Sequence, residues 1–166
     1  AACYDITIAL IHKGLHKMAV MCAERGHKVN QLRLDGILRA HMQSHMYLDK
    51  NLIFYDTESE IIAEMAIEKS LAANVDCILC MDDNICIKII RILKIKGLRI
   101  PDDIKIASLH NSELLDEFDP SISCIYQNES ELGKEAGRIL YTYLKEGKVL
   151  SSSILGYELQ IKDSTN

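Results

Sequence analysis

A strand–helix–strand pattern between Asn74 and Asn111 constrains the fold of this 166-residue chain more than any other feature. The run DCILCM is apolar with almost no alternation, which is typical of a strand buried on both faces. A helix follows and ends at Gly97, a residue that tolerates the left-handed C-cap conformation, and Pro101 prevents its continuation. The run IKIAS then predicts a second buried strand. A unit of this size is a right-handed crossover between parallel strands, so the segment predicts a parallel sheet.

Helices and strands alternate in the rest of the chain as well. Strands are predicted at 17–22, 51–55, 76–81, 104–108, 122–126 and 155–161, and helices at 4–13, 29–45, 57–73, 85–96, 111–117 and 128–145. The pairs Thr57 with Glu60 and Asn128 with Glu131 have the spacing of capping boxes, which start helices. The polar tail 162–166 is predicted to be frayed. This order predicts the α/β class, with a mostly parallel sheet flanked by helices on both faces.

Composition narrows the classes of function. Apolar residues make up 48% of the chain, which argues against disorder, and no apolar run is long enough to cross a membrane. The net charge of −5 disfavours nucleic-acid binding by this chain itself, because phosphate contacts need a basic surface. Nothing at the N-terminus resembles a signal peptide. The six cysteines are therefore expected to be reduced thiols in the cytoplasm, and no membrane partner is expected.

No group of residues predicts a metal site, a cofactor or a catalytic centre. Cys77 and Cys80 are three apart on a strand, so their side chains point to opposite faces and cannot share one ion. His41 and His45 are one helical turn apart, with Asp49 a further turn on, but solvated histidines on an outer face explain this spacing better than zinc does. The sequence contains neither a Gly-rich phosphate loop nor a nucleophile elbow, and we expect no enzymatic activity.

Three segments carry an ordered set of motifs. CMDDNICIKIIRILKIKGLRIPDDIKIASLHN contains an apolar strand, a polar pair, an amphipathic helix ending in Gly-Leu and a second apolar strand. GLHKMAVMCAERGHKVNQLRLDGILRA contains a strand, a loop and an Arg-x-x-Gly helix, and FDPSISCIYQNESELGKEAGRIL contains a strand and a Leu-Gly helix. Together they resemble the sensor domain of the lactose-repressor family, which has a class I periplasmic-binding-protein-like fold.

The resemblance implies a domain organisation. Residues 1–166 are expected to be a fragment of the effector-binding and dimerisation domain, mainly its C-terminal lobe. The chain opens with a helix where a doubly wound domain normally opens with a strand, so most of the N-terminal lobe is expected to lie outside it. The strand and helix at 122–146 belong to the N-terminal lobe in the family. The family's DNA-binding headpiece is also expected to lie outside, so operator DNA would be reached only through it.

The resemblance also implies four ligand-binding residues. Arg33 stands at an Arg that reaches sugar hydroxyls or a purine, Asp82 stands where the family usually has Asn, and Gln127 matches a Gln at the lobe hinge. His110 replaces an Asp that binds two sugar hydroxyls, which a neutral His cannot do. The identity of the effector therefore stays open. A sugar or related metabolite is one possibility, and a carboxylate, purine or phosphorylated compound is another if His110 is charged or paired with Asp82. A third is that the domain binds no small molecule. Asp83 matches the family's helix-capping Asp and is interpreted as structural.

The helix from Ile85 to Lys96 carries more apolar residues than one covering face needs. Either a deeper core in the two-lobed protein or a subunit interface accounts for the excess. The resemblance favours an interface between two copies, a homodimer, and we expect Ile87 to lie near it.

These inferences lead to one main hypothesis and two alternatives. The main hypothesis is the sensing and dimerising part of a bacterial transcriptional regulator, a repressor, in which an effector between the lobes shifts their relative angle and alters operator binding by the headpiece. The first alternative is a solute-binding protein of a transport system, which shares the fold. The second is a flavodoxin-like enzyme or receiver, and AERGHKVNQ supplies neither the phosphate loop nor the acidic triad that it needs.

Overall fold

Helices and strands alternate along the chain, which a computed structural model describes at residues 1–148 and 152–166. The helices are α1 Ala2–His12, α2 Lys28–Gln43, α3 Glu60–Ala72, α4 Asp83–Ile95, α5 Glu113–Asp116 and α6 Glu129–Glu146. The strands are β1 Met18–Met21, β2 Ile53–Phe54, β3 Cys77–Cys80, β4 Lys105–Ser108, β5 Ser123–Tyr126 and β6 Glu158–Gln160. Short 3₁₀ turns occupy Lys50–Leu52 and Asp163–Thr165. None of the helices in these ranges has the length and apolarity that crossing a bilayer demands.

The six strands form one sheet in the order β2-β1-β3-β4-β5-β6. The first five strands are parallel, and β6 runs antiparallel to β5 at the edge. Right-handed connections place α2 on one face and both α3 and α4 on the other, because the chain crosses the sheet in opposite directions on leaving β1 and β2. Helix α1 packs on α2, and α3 packs on α4. The predicted fold class is confirmed.

The centre of the sheet is buried on both faces. Every residue of β1 and β3 is at most 1% exposed, which explains why neither strand alternates between apolar and polar residues. Above the sheet, helices α1 and α2 pack closely against each other at Gly36, where an added Cβ would be 3.1 Å from both the Cys3 Cβ atom and the Tyr4 backbone nitrogen. Any larger residue at position 36 would push these two helices apart.

Helix α4 is capped at both ends and packed along its apolar side. The carboxylate of Asp82 accepts a hydrogen bond of 2.9 Å from the Ile85 backbone N–H at its start, and Gly97, with φ +74°, follows its C-cap. Six of its apolar side chains are buried: Ile85, Cys86, Ile89, Ile90, Ile92 and Leu93. Ile87 is half-buried and Ile95 is 79% exposed. Most of the apolar excess seen in the sequence is therefore packed within this chain.

Helix α6 contrasts with α4, since none of its residues is buried. It begins as predicted, with Asn128 Oδ1 accepting a hydrogen bond of 3.0 Å from the Glu131 backbone N–H. The strand before it, β5, is hydrogen-bonded between β4 and β6. Within this chain β5 is therefore part of the one sheet, and the assignment of 122–146 to the N-terminal lobe stays a prediction.

The prediction of a frayed tail is wrong. Asp163–Thr165 forms a 3₁₀ turn in which Ser164 and Thr165 are fully buried. The Ser164 hydroxyl donates to the Ile106 carbonyl oxygen at 2.7 Å and accepts from the Ser123 backbone N–H at 2.9 Å. Short polar side chains can pair with buried backbone groups in this way, so a polar composition does not by itself leave a segment unpacked.

The capping role predicted for Thr57 is also wrong. Its hydroxyl donates a hydrogen bond of 2.8 Å to the buried Cys22 carbonyl oxygen beyond β1, and the N-cap residue of α3 is Ser59. The Thr57 backbone N–H donates to the same carbonyl oxygen at 3.1 Å, so two hydrogen bonds hold this residue at the end of β1, two residues before the N-cap of α3.

Candidate functional site

The parallel strands end along one edge of the sheet, where polar residues collect. We call this edge the rim and define it by Arg33 of α2, the segment Met81–Asp83 after β3, His110 and Asn111 after β4, and Gln127 after β5. In open parallel sheets, small ligands bind at this edge, because loops and helix starts converge there. The rim is therefore the first place to look for a ligand site.

Arg33 is held at the rim by a direct contact with the end of β3. Its Nη1 atom donates a hydrogen bond of 2.6 Å to the Met81 carbonyl oxygen. A guanidinium has five N–H groups in a fixed fork, so most of its donors remain for other partners. This contact brings Arg33 beside Asp82, which follows Met81 in the chain, as the predicted site requires.

Asp82 and Asp83 exchange the roles that the sequence suggests. Asp82 has extended backbone angles and caps α4, whereas Asp83 is the first helical residue. The Asp83 Oδ1 atom lies 3.7 Å from Nδ1 of His110. The interpretation of Asp83 as the capping residue is therefore wrong, and so is the pairing of His110 with Asp82. The physical reason is that a cap must lie just outside the helix, and the helix begins one residue earlier than a cap at Asp83 requires.

His110 presents a polar atom that lacks a hydrogen bond. Its Nδ1 atom is buried and has no hydrogen-bond partner within the described part of the chain, because 3.7 Å to Asp83 is too long. Its backbone is braced, since the Ser108 hydroxyl donates to the His110 carbonyl oxygen at 2.6 Å. A small shift of either side chain, or a ligand group, would satisfy this nitrogen.

Asn111 is a rim residue that the predicted site does not include. Its Oδ1 atom accepts a hydrogen bond of 2.8 Å from the Gln127 backbone N–H, and the residue is buried. This bond ties the end of β4 to the end of β5, where the chain leaves the sheet for α6. Gln127 also lines a cavity of about 160 Å³ with Leu132 and Leu155. The sequence indicated this link between strand ends only by the position of Asn111, an amide side chain just after a predicted strand.

Buried thiols lie under the rim. Burial raises the pKa of the Cys22 thiol to about 12 and also raises the pKa of Cys80. Thiols held protonated in this way are poor nucleophiles and poor metal ligands. Cys80 and Cys124 lie in register with Ser108 across β3, β4 and β5, and all three side chains are fully buried.

The paired histidines predicted for one solvated helix face are not found. Helix α2 ends at Gln43, and His45 lies beyond it with φ +54°. His41 is only 1% exposed, and its Nδ1 donates to the Ile37 carbonyl oxygen at 2.9 Å. Burial lowers the pKa of His41, which favours the neutral ring. Over residues 1–148 and 152–166, no three His, Cys, Asp or Glu side chains are grouped to hold a metal ion.

The structure thus places Arg33, Asp82 and His110 on one rim. A hydrogen bond from the Gln127 backbone N–H to Asn111 connects Gln127 to the same rim. Ile87 lies elsewhere, on the outer side of α4. There it lines an open cavity of about 490 Å³ together with Leu114 and Phe118. The predicted ligand residues and the predicted interface residue therefore occupy separate surfaces.

An α/β lobe with a polar rim at its strand ends is the architecture of periplasmic-binding-protein-like domains. Residues 8–165 match the model of that family, the periplasmic binding protein-like domain. The chain belongs to this family, and the resemblance to the sensor domain of lactose-repressor-type regulators is confirmed by its relatives.

Those relatives are transcription regulators. Catabolite control protein A of Staphylococcus xylosus is 26% identical over 99% of this chain, and the transcriptional repressor PurR of Vibrio atlanticus is 27% identical over 86% of it. The chain covers 50% and 43% of these two proteins, about half their length. The structure of transcription regulator CcpA of Lactococcus lactis superimposes with a TM-score of 0.88 at 25% identity, covering 99% of this chain and 61% of that one. These similarities do not favour a solute-binding protein of a transport system.

Proposed function

We propose that this chain is the effector-sensing and pairing part of a bacterial transcriptional repressor. The observation that carries the proposal is the rim, where Arg33, Asp83 and His110 present unused hydrogen-bonding groups at the strand ends of a regulator-like lobe. An effector bound there, between this lobe and a second one, would favour one lobe angle over another. The shift in population would alter operator binding by a DNA-binding headpiece in the cytoplasm.

The exposed apolar face of α6 supports a second lobe. Leu132, Leu140 and Leu144 are all more than half exposed, on a helix whose opposite face is polar. Such a helix is normally covered by a sheet or another helix. We assign this face to the N-terminal lobe, so that α6 packs there while β5, immediately before it, stays in this sheet. The hydrogen bond between Asn111 and Gln127 would then lie at the hinge.

The outer side of α4 supports the pairing of two copies. Ile87 and Leu114 lie in one open cavity beside Phe118, and Ile61 and Met65 on the adjoining helix α3 are exposed. An apolar patch of this kind marks an interaction surface on a protein of this size. We expect Ile87→Asp to abolish self-association of the chain in sedimentation velocity. Leu132→Asp, the matched change on α6, should leave the association through α4 in place.

The rim favours an effector that offers both hydrogen-bond donors and acceptors. Asp83 accepts, Arg33 donates, and the imidazole of His110 can do either through its two nitrogens. A sugar or a related metabolite with several hydroxyl groups fits this mixed set, because each hydroxyl both donates and accepts. Two carboxylates at the rim would repel a strongly anionic compound.

Chemical-shift mapping by NMR tests the sensing role, because it detects the weak binding expected from half of a cleft. Neutral hexoses, disaccharides and hexose phosphates would be added at millimolar concentration to the labelled chain. We expect shifts at the backbone amides of Arg33, Asp83, His110 and Gln127, with the neutral sugars giving larger shifts than the phosphates.

Variants make the same test specific. Arg33→Lys should reduce the shifts, because a lysine cannot both hold the Met81 carbonyl oxygen and present a planar fork. Arg39→Lys, also on α2 but stacked over the ring of Tyr4, is the matched control and should leave them unchanged. Shifts that fall outside the rim, or no shifts with any of the compounds, would contradict the proposal.

A further inference from the structure

We infer that an electrostatic seam on the α4–α5 surface decides which chain this protein pairs with, and that the partner it selects is a second copy of itself. The inference rests on the proposed pairing through Ile87 and adds the charges that would make that pairing selective. We define the seam by Arg91 and Lys94 on α4, and by Glu117 and Asp119 at the end of α5.

The seam surrounds an apolar centre. Ile87, Leu114 and Phe118 line the same open cavity as Lys94, Glu117 and Asp119. Leu114 is largely exposed, although it lies next to the fully buried Leu115 that anchors α5. An apolar centre with a charged border is the usual anatomy of an interface between proteins.

The charges of the seam have no ion-pair partners within the described residues. The neighbouring charges do have partners: Asp116 pairs with Lys162 at 2.8 Å and Lys96 with Glu68 at 3.1 Å. Lys94 instead lies over the ring of Phe118, with its Nζ atom 5.5 Å from the ring centroid. The surface thus keeps two cations on α4 and two carboxylates just after α5, all exposed.

A two-fold axis through the apolar centre would satisfy all four charges at once. In an isologous pair, if residue i of one copy contacts residue j of the other, then j also contacts i. The cationic side of α4 would meet the acidic end of α5 in the partner, twice per dimer. A partner without this arrangement would leave these charges unpaired or facing charges of the same sign, and charges of this kind act mainly on partner choice and orientation.

Charge-swap variants of the full chain test the seam. In a self-pair, Lys94→Glu alone places two carboxylates opposite each other, and Glu117→Lys alone places two ammonium groups opposite each other. We expect each variant to self-associate at least about tenfold more weakly than the wild-type chain, since both copies of the repulsion act together. In a mixed pair of the two variants, one copy contributes two carboxylates and the other two ammonium groups, so opposite charges meet on both sides of the two-fold axis. An equal mixture should therefore pair more strongly than either variant alone.

Sedimentation equilibrium with one variant fluorescently labelled measures the self-pairs and the mixed pair. Lys134→Glu and Glu129→Lys make the same charge changes on α6 and serve as matched controls that should alter nothing. Salt at about 1 M, where the screening length falls to about 3 Å, should weaken the wild-type pair and reduce the difference between variants.

The outcomes separate the seam from the pairing itself. A wild-type dimer that Ile87→Asp disrupts but that ignores both charge variants would overturn the seam and leave the proposed pairing intact. A chain that stays monomeric at every concentration, or a dimer that ignores Ile87→Asp, would overturn the pairing and the seam with it. Weak single variants without recovery in the mixture would also overturn the seam, because they would indicate a loss of folding rather than a mismatch of charge.

Discussion

Helices α4 and α6 have similar amphipathic sequences and opposite surroundings. Helix α4 buries Ile85, Ile89 and Leu93 against the sheet, while α6 buries nothing and leaves Leu140 and Leu144 exposed. Both begin with a side chain that accepts a hydrogen bond from the backbone N–H three residues further on, Asp82 for α4 and an Asn for α6. Local sequence therefore determines that both segments are helical. It does not determine whether the surface that covers the apolar side of each helix is part of this chain.

The contrast explains where the stability of the chain resides. A buried apolar helix unfolds together with the sheet beneath it, whereas an uncovered helix depends on its caps and its own ion pairs. Short helices without tertiary contacts are marginal in water. We expect α6 to open locally at little cost, and α4 only when the whole lobe unfolds.

The largest predicted difference comes from truncating one leucine-sized side chain in each helix. Ile89→Ala should lower the free energy of unfolding by about 2–5 kcal/mol, because it leaves a cavity against the sheet. Leu140→Ala should change it by no more than about 0.5 kcal/mol, since that side chain is mostly in water. Urea denaturation followed by circular dichroism measures both. Equal losses would mean that α6 is covered in solution.

Two glycines give the next comparison. Gly36→Ala should cost about 1–3 kcal/mol of unfolding free energy, because its new Cβ would press on Cys3 and the Tyr4 backbone 3.1 Å away. Gly137→Ala in α6 meets nothing within 4 Å and should raise the helicity of α6, with a gain of up to about 1 kcal/mol in local stability. Thermal unfolding and far-ultraviolet circular dichroism distinguish the two. A stabilising Gly36→Ala would show that α1 and α2 are less closely packed than described.

The helix caps allow a finer test. Asp82→Ala should cost about 1 kcal/mol of global stability, because α4 unfolds with the lobe. Asn128→Ala removes a similar bond but should leave the global value unchanged and reduce only the hydrogen-exchange protection of α6. Amide exchange measured by mass spectrometry, peptide by peptide, separates local from global opening. Loss of protection in both helices after Asn128→Ala would contradict the local opening of α6.

Mild acid should lower the free energy of unfolding of the part of the chain that buries His41 and should leave the ion pair of α6 intact. The pKa of His41 is lowered by burial from the usual 6.5, so the unfolded chain binds a proton first as the pH falls. The contribution of His41 is therefore complete above about pH 6.5 and is lost below it, by at most about 1.4 kcal/mol per pH unit. In α6, Arg138 lowers the pKa of Glu135 to about 2, so that pair stays charged. His41→Leu should flatten the dependence of stability on pH between 7 and about 5, and an unchanged slope would rule out His41 as its cause.

The fold was predictable because its signals are local. The apolar runs that became β1 and β3, the glycine after α4 and the Asn128 cap all act over a few residues. The failures have the opposite character. Thr57, His41 and the Ser164–Thr165 tail were assigned to solvent or to caps, and each is buried. Thr57 and Ser164 are bonded there to groups far away in the sequence.

The candidate site was predictable in part for the same reason. Arg33, Asp82 and His110 could be placed by motif, and the structure puts them on one rim. Which aspartate caps α4 and which one faces His110 depended on a one-residue shift in the helix start that no composition or spacing reveals. The link from Asn111 to Gln127 depended on two strand ends being neighbours in space.

The sequence by itself determined the helices, the strands, the parallel sheet and the family, because propensity, capping and apolar runs depend on neighbours along the chain. The tertiary structure decided which apolar faces are covered, which aspartate faces His110 and that the polar tail is packed. Those outcomes depend on groups that are distant in sequence and adjacent in space, where burial makes an unpaired polar atom costly.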